Sequence, residues 1–94
     1  MTYSLKFKQE ALKEWYKLDN NLKTQFKKKL EERLQNPYVQ ADRLSGRNNR
    51  FKIKLRNAGY RLVYEVRELE VVVVVIAIGK REKNKIYKTS AIRS

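Results

Sequence analysis

Three cations fall where a strand would hold them side by side. In Phe51-Lys52-Ile53-Lys54-Leu55-Arg56 apolar and basic residues alternate strictly. Side chains of a strand repeat every two residues, so Lys52, Lys54 and Arg56 share one face and Phe51, Ile53 and Leu55 the other. In Tyr60-Arg61-Leu62-Val63-Tyr64-Glu65-Val66-Arg67 the apolar row is Tyr60, Leu62, Tyr64 and Val66, and Arg61 stands opposite. Asn57-Ala58-Gly59 between them reads as a three-residue hairpin connection ending in Gly. Two antiparallel strands thus present Lys52, Lys54 and Arg61 on one open face. Such cations on stiff backbone suit a phosphate.

The rest of the chain supplies what that sheet needs. Val71 to Ile78 is apolar throughout and suits a central strand covered on both faces. Thr2 to Phe7 alternates and reads as a short strand. Lys8 to Leu18 reads as a helix, with Leu12, Trp15 and Leu18 at steps of three. Asp19-Asn20-Asn21 breaks it and offers a cap to a second helix, in which Leu22, Phe26, Leu30 and Leu34 recur every four residues. Asn36-Pro37 ends that helix near Gln35. The pair forms an αα-hairpin whose apolar stripe covers the greasy sheet face, with Trp15 and Phe26 as core anchors. Tyr38 to Asn49 is a connection in which Leu44 packs inward and Ser45-Gly46 turns. Glu68-Leu69-Glu70 turns the third strand into the fourth. After Gly79 the chain leaves the sheet; Ile86 and Ile92 favour a short final helix, and Thr89 and Ser90 oppose a firm one. The expected class is α+β: an N-terminal strand and an αα-hairpin on one face of a mainly antiparallel four-stranded sheet, in one domain over residues 1–94.

Charge points to the partner. The net charge of +13 implies a polyanion. Arg43 to Arg61 holds seven basic residues and no acidic one, and Gly79 to Ser94 holds six against Glu82. Arg43, Arg47, Arg50, Arg56, Lys80, Lys83 and Lys85 flank the strand cations in these clusters. In the Lys8 to Leu34 region eight basic residues mix with five acidic ones, as on a solvated helix surface. No Cys and no His are present, which removes disulfides, thiolate metal sites and the usual near-neutral acid/base. A reducing cytoplasm is the expected location. The eight-residue run Val71 to Ile78 is the longest apolar stretch, against roughly 20 for a membrane span, and MTYSLKFKQE has no apolar signal core. No membrane partner is expected.

The order and spacing of several pieces resemble a known family. They are Asp42-Arg43-Leu44-Ser45-Gly46, Phe51 to Arg56, Gly59 to Val66, Val75 to Gly79 followed by Lys80-Arg81, and Ile86-Tyr87, with Ala11 to Trp15 and Lys27 to Leu30 near the start. Together they resemble the RelE toxins of bacterial toxin–antitoxin pairs, within the RelE/ParE group. The resemblance covers nearly the whole chain. It implies an endonuclease that enters the ribosomal A site and cuts the mRNA codon there. The ribose 2′-hydroxyl would attack the adjacent phosphate, leaving a 2′,3′-cyclic phosphate and a 5′-hydroxyl. It further implies a RelB-like antitoxin as inhibitor, 16S rRNA and A-site mRNA as contacts of the basic flanks, no cofactor, and Lys52, Lys54, Arg61, Arg81 and Tyr87 as the functional set. The C-terminal segment from Lys88 is less apolar than the family's terminal helix.

In-line RNA cleavage needs a base, charge stabilisation at phosphorus and an acid for the leaving oxygen. A free Lys, at about 10.4, and a free Tyr, at about 10, are weak bases at neutral pH. Crowded cations disfavour a protonated amine and favour a tyrosinate. Lys54 and Tyr87 both remain candidates for the base. Lys52 and Arg61 suit the phosphate. The family makes Arg81 the leaving-group acid; a guanidinium stays protonated, so its chemistry supports charge stabilisation. No carboxylate pair lies beside the cations, so two-metal chemistry is not expected and cleavage should survive EDTA. Two other readings use the same residues. A ParE-like toxin would inhibit gyrase and cut nothing. A plain RNA-binding module would use the cations for phosphate contacts alone and tolerate Tyr87→Phe.

Overall fold

A computed structural model describes residues 2–45, 49–80 and 85–93. Arg47, Arg81 and Lys83 lie outside the described residues. Strand β1 (Ser4–Phe7) leads into helices α1 (Gln9–Tyr16) and α2 (Asn20–Gln35). Strands β2 (Arg50–Leu55), β3 (Tyr60–Arg67) and β4 (Val72–Lys80) follow, then helix α3 (Lys85–Ile92). The sheet order is β1-β4-β3-β2, with β1 parallel to β4 and the other pairs antiparallel. This is the α+β arrangement that the alternation and helix spacing imply.

Local chemistry explains the boundaries. Asp19 caps α2 by accepting from the Leu22 N–H at 2.8 Å. Gly59 takes φ +70°, the left-handed turn a Cβ would resist, and its N–H donates to Leu55 C=O at 2.9 Å. The hairpin connection is one residue longer than the alternation suggests: β2 begins at Arg50 and ends at Leu55, so Arg56 lies exposed in the turn. Val71 also falls outside its strand. It turns left-handed (φ 54°) to close the 3-10 turn Glu68–Glu70, while β4 runs on to Lys80.

The helical hairpin packs on one sheet face. Ala11, Leu22, Phe26 and Leu30 meet Phe51, Ile53, Leu62, Tyr64, Val73 and Val75 there. Phe51 stacks on Tyr64 with ring centroids 5.6 Å apart. Tyr64 also serves polar needs: its hydroxyl donates to Pro37 C=O at 2.7 Å and accepts from Arg33 Nη1 at 2.9 Å. Arg33 goes on to Asp42 at 2.6 Å and to Lys52 C=O at 3.2 Å. A largely part-buried network thus ties Pro37, Asp42 and the backbone of β2 to α2.

The other face is not open, contrary to the reading of the alternation. Val63, Val72, Val74, Ile76, Ala77 and Ile86 form a second cluster, with Leu44 and Tyr87 against it. Its cover is α3, a firm helix despite Thr89 and Ser90. The Ser90 hydroxyl donates to Tyr87 C=O at 2.8 Å within the helix. Burial of Ile86 and Ser90, not propensity, holds so short a helix. A bulge in β4 serves both faces. Tyr64 pairs with Val75 but Val63 with Ala77, so Ile76 is the additional residue. The phase change puts Ile78 with the first core and Gly79 opposite Arg61 on the second face.

Candidate active site

The two central antiparallel strands bring the expected cations together. Lys54 and Arg61 are direct cross-strand partners, and Lys52 lies one pleat along on the same face, opposite Val63. Like charges placed opposite one another destabilise a sheet, so packing alone does not favour this pair. Lys52 lies first among the influences that lower the proton affinity of Lys54, followed by desolvation and Arg61. The shift runs in the direction a base needs.

Arg61 is 7% exposed, and its buried Nη1 has no hydrogen-bond partner among the described residues. A buried, unsatisfied guanidinium donor is costly. An anion arriving between Lys52, Lys54 and Arg61 would satisfy it. Gly79 sits across from Arg61, and a Cβ there would come within 3.2 Å of the Ile86 side chain. Glycine therefore lets α3 approach the strand closely. That approach brings Tyr87 to Lys52, whose Nζ stands 5.9 Å from its ring centroid. Beside them opens a cleft of about 360 Å³ whose lining includes Arg43, Leu44, Lys52, Tyr87 and Ser90.

The structure thus gathers Lys52, Lys54, Arg61 and Tyr87. Of the basic flanks, Arg43, Arg56, Lys80 and Lys85 are exposed. Arg50 needs correction. It is 2% exposed and pairs with Glu65 at 2.9 Å, so it is not placed to meet RNA. Its register opposite the acidic Glu65 was the signal. Burial would raise the Glu65 carboxyl, but hydrogen bonds from Arg50 and Arg67 outweigh it and hold the carboxyl below its ordinary range. Glu14 and Arg93, which the spacing did not single out, form a second anchor. β1 pairs with β4 only as far as Phe7 and Val75. Beyond it, Glu14 accepts from Ile78 N–H at 3.1 Å, Arg93 donates to Ile76 C=O at 3.0 Å, and the two side chains pair at 2.8 Å.

A mixed sheet under a helical hairpin carries this cation row on the face that a C-terminal helix covers. Residues 5–85 match the family model described as the ParE toxin of the type II toxin–antitoxin system parDE, and the chain belongs to the RelE/ParE family of type II toxins. Within it the chain is 48% identical to the mRNA interferase toxin RelE of Escherichia coli K12, covering 99% of this chain and 98% of that one. A putative RelE-like toxin protein of E. coli is 43% identical over the same shares. The free structure of a mutant E. coli RelE superimposes with a TM-score of 0.91 at 47% identity, covering 99% of this chain and 98% of that one. RelE in the intact E. coli RelBE toxin–antitoxin complex gives 0.83 at 51%, covering 86% and 99%. No helix among the described residues is long and apolar enough to cross a membrane.

Proposed function

We propose that this protein is an mRNA interferase that cuts the codon in the ribosomal A site by attack of the ribose 2′-hydroxyl on the adjacent phosphate. One observation carries the reading: the buried Arg61 donor, without a partner among the described residues, lies in a row with Lys54 and with Lys52, which stands by the Tyr87 ring. Arg61 and Lys52 hold the phosphate and the charge that develops on it. Lys54 or Tyr87 takes the 2′-hydroxyl proton. Arg81 stabilises the 5′-oxygen that leaves as the P–O5′ bond breaks, and solvent protonates it to the 5′-hydroxyl. By residue type a lysine amine and a phenol are weak bases at neutral pH, so the enzyme depends on substrate alignment. Orientation of reactants is worth roughly 7–11 kcal/mol, and a ribosome holding the codon in place supplies it. The basic flanks Arg43, Arg56, Lys80 and Lys85, with Arg47 and Lys83, grip 16S rRNA.

The inhibitor is a RelB-like antitoxin, as in the E. coli complex to which the chain is similar. An acidic, partly apolar chain would offset part of the +13 charge. The work is done in the cytoplasm, where ribosomes translate. A ParE-like toxin that cuts nothing is favoured only by the ParE name of the matching family model.

The test is cleavage on programmed ribosomes with an empty A site, beside the same mRNA without ribosomes. A single cut within the A-site codon, on ribosomes only, with a 2′,3′-cyclic phosphate end, is expected. Folded, antitoxin-free protein that cuts neither substrate would sink the proposal in favour of gyrase inhibition or plain binding.

A further inference from the structure

Arg50 holds the first position of β2, on the face that carries Lys52 and Lys54. Its guanidinium is spent inside the protein. Nε donates to Glu65 Oε2, its cross-strand neighbour, at 2.9 Å. Nη2 donates to Arg93 C=O at 2.8 Å, and Nη1 to Ser90 C=O. Those carbonyls belong to the last turn of α3 and the residue after it. There intrahelical donors run out and the helix dipole is negative. α3 has no basic residue of its own in that turn, and at eight residues it depends on tertiary support. Glu65 keeps the buried cation paired, which a desolvated charge requires.

Two short routes lead from Arg50 to the cluster. Along β2, Lys52 is two residues away, about 6.6 Å. Through α3, Tyr87 lies one turn before the carbonyls that Arg50 grips. The routes meet where Lys52 Nζ stands 5.9 Å from the Tyr87 ring. Arg93 holds the same helix end, but to Glu14 and the edge of β4. The Arg50 clasp refers it to the strand that bears Lys52 and Lys54.

We propose that Arg50 is a positioning residue that clamps the C-terminal end of α3 to β2 and so sets Tyr87 over Lys52, without touching RNA. The proposal rests on the reading of Tyr87 as a catalytic residue. The experiment is a double-mutant cycle of Arg50→Ala and Tyr87→Phe, read as the single-turnover cleavage rate at saturating ribosomes. Ribosome affinity and amide hydrogen exchange are followed for each protein. Arg50→Ala should slow cleavage about 10–100-fold, the scale of a small misplacement of a reacting group. In the Tyr87→Phe background it should change the rate by less than about twofold, the signature of two residues acting as one. Ribosome affinity should stay unchanged, and protection should fall at 85–93 while the strands keep theirs.

If Tyr87→Phe alone cuts at wild-type speed, the reading of Tyr87 fails and the proposal goes with it. If Tyr87→Phe is slow but the Arg50→Ala loss is as large in that background, only the positioning role is overturned. Weaker ribosome binding at an unchanged rate, or full protection at 85–93, overturns it too. Should Arg50→Ala also expose the strands, Arg50→Lys carries the same cycle. It keeps the charge but cannot serve three acceptors with one planar fork.

Discussion

Lys54 is the residue whose chemistry depends most plainly on its neighbours. Lys52 beside it disfavours its protonated form, burial adds to this, and Arg61 opposite acts in the same sense. If Lys54 is the base, the active form is the free amine, and the rate rises with pH through its lowered pKa. Removing Lys52 relieves the largest repulsion, so the pKa climbs back towards that of an ordinary lysine. The ascending limb of the pH–rate profile for Lys52→Ala should therefore lie at higher pH than in the wild type, apart from any loss of maximal rate. Single-turnover rates on ribosomes across pH 6–9 measure this. A limb that stays in place for Lys52→Ala means that a group other than Lys54 takes the proton.

At the scale of elements, the linker and β2 are held by one phenol. Tyr64 lies in an apolar row and behaves as a core residue, yet its hydroxyl joins Pro37 C=O to Arg33, and Arg33 Nη1 also holds Lys52 C=O. Tyr64→Phe keeps the stack on Phe51 and leaves a buried carbonyl short of its donor. It should lower stability by about 1–3 kcal/mol, measured as a fall in the urea midpoint with the slope unchanged. A midpoint within error of the wild type would mean that water replaces the hydroxyl. The apolar row was legible because period-two alternation reports burial directly. The hydroxyl's partners were not, because Arg33 and Pro37 approach it only once α2 is docked. The same limit explains α3. Its own residues argue weakly for a helix, and what holds it is Ile86 against the second face and Arg50 at its end. The bulge at Ile76 left no trace in an unbroken run of Val and Ile, yet it turns Gly79 towards Arg61. Parity alone placed Lys52, Lys54 and Arg61 on one face, but it also counted Arg56, which falls in the turn. Arg50 shared that parity and was misread, because a buried cation and a surface one look alike until Glu65 is seen opposite.

For the whole molecule, the charge of +13 separates binding from chemistry. Cations that meet rRNA phosphates release counterions, so association weakens steeply as salt rises. A codon already seated against Lys52, Lys54 and Arg61 sits in a partly buried site where salt screens little. Raising potassium chloride from about 50 to 200 mM should therefore lower ribosome affinity by orders of magnitude. The single-turnover rate at saturation should change only slightly over the same range. The slope of log affinity against log salt then sorts the basic residues. Arg56→Ala and Lys85→Ala remove exposed charges and should each flatten the slope by about 1. Arg50→Ala removes a charge that is 2% exposed and already paired with Glu65, so the slope should remain that of the wild type. A slope that flattens for Arg50→Ala as it does for Arg56→Ala would mean that the α3 clasp opens on the ribosome and Arg50 turns outwards to a phosphate.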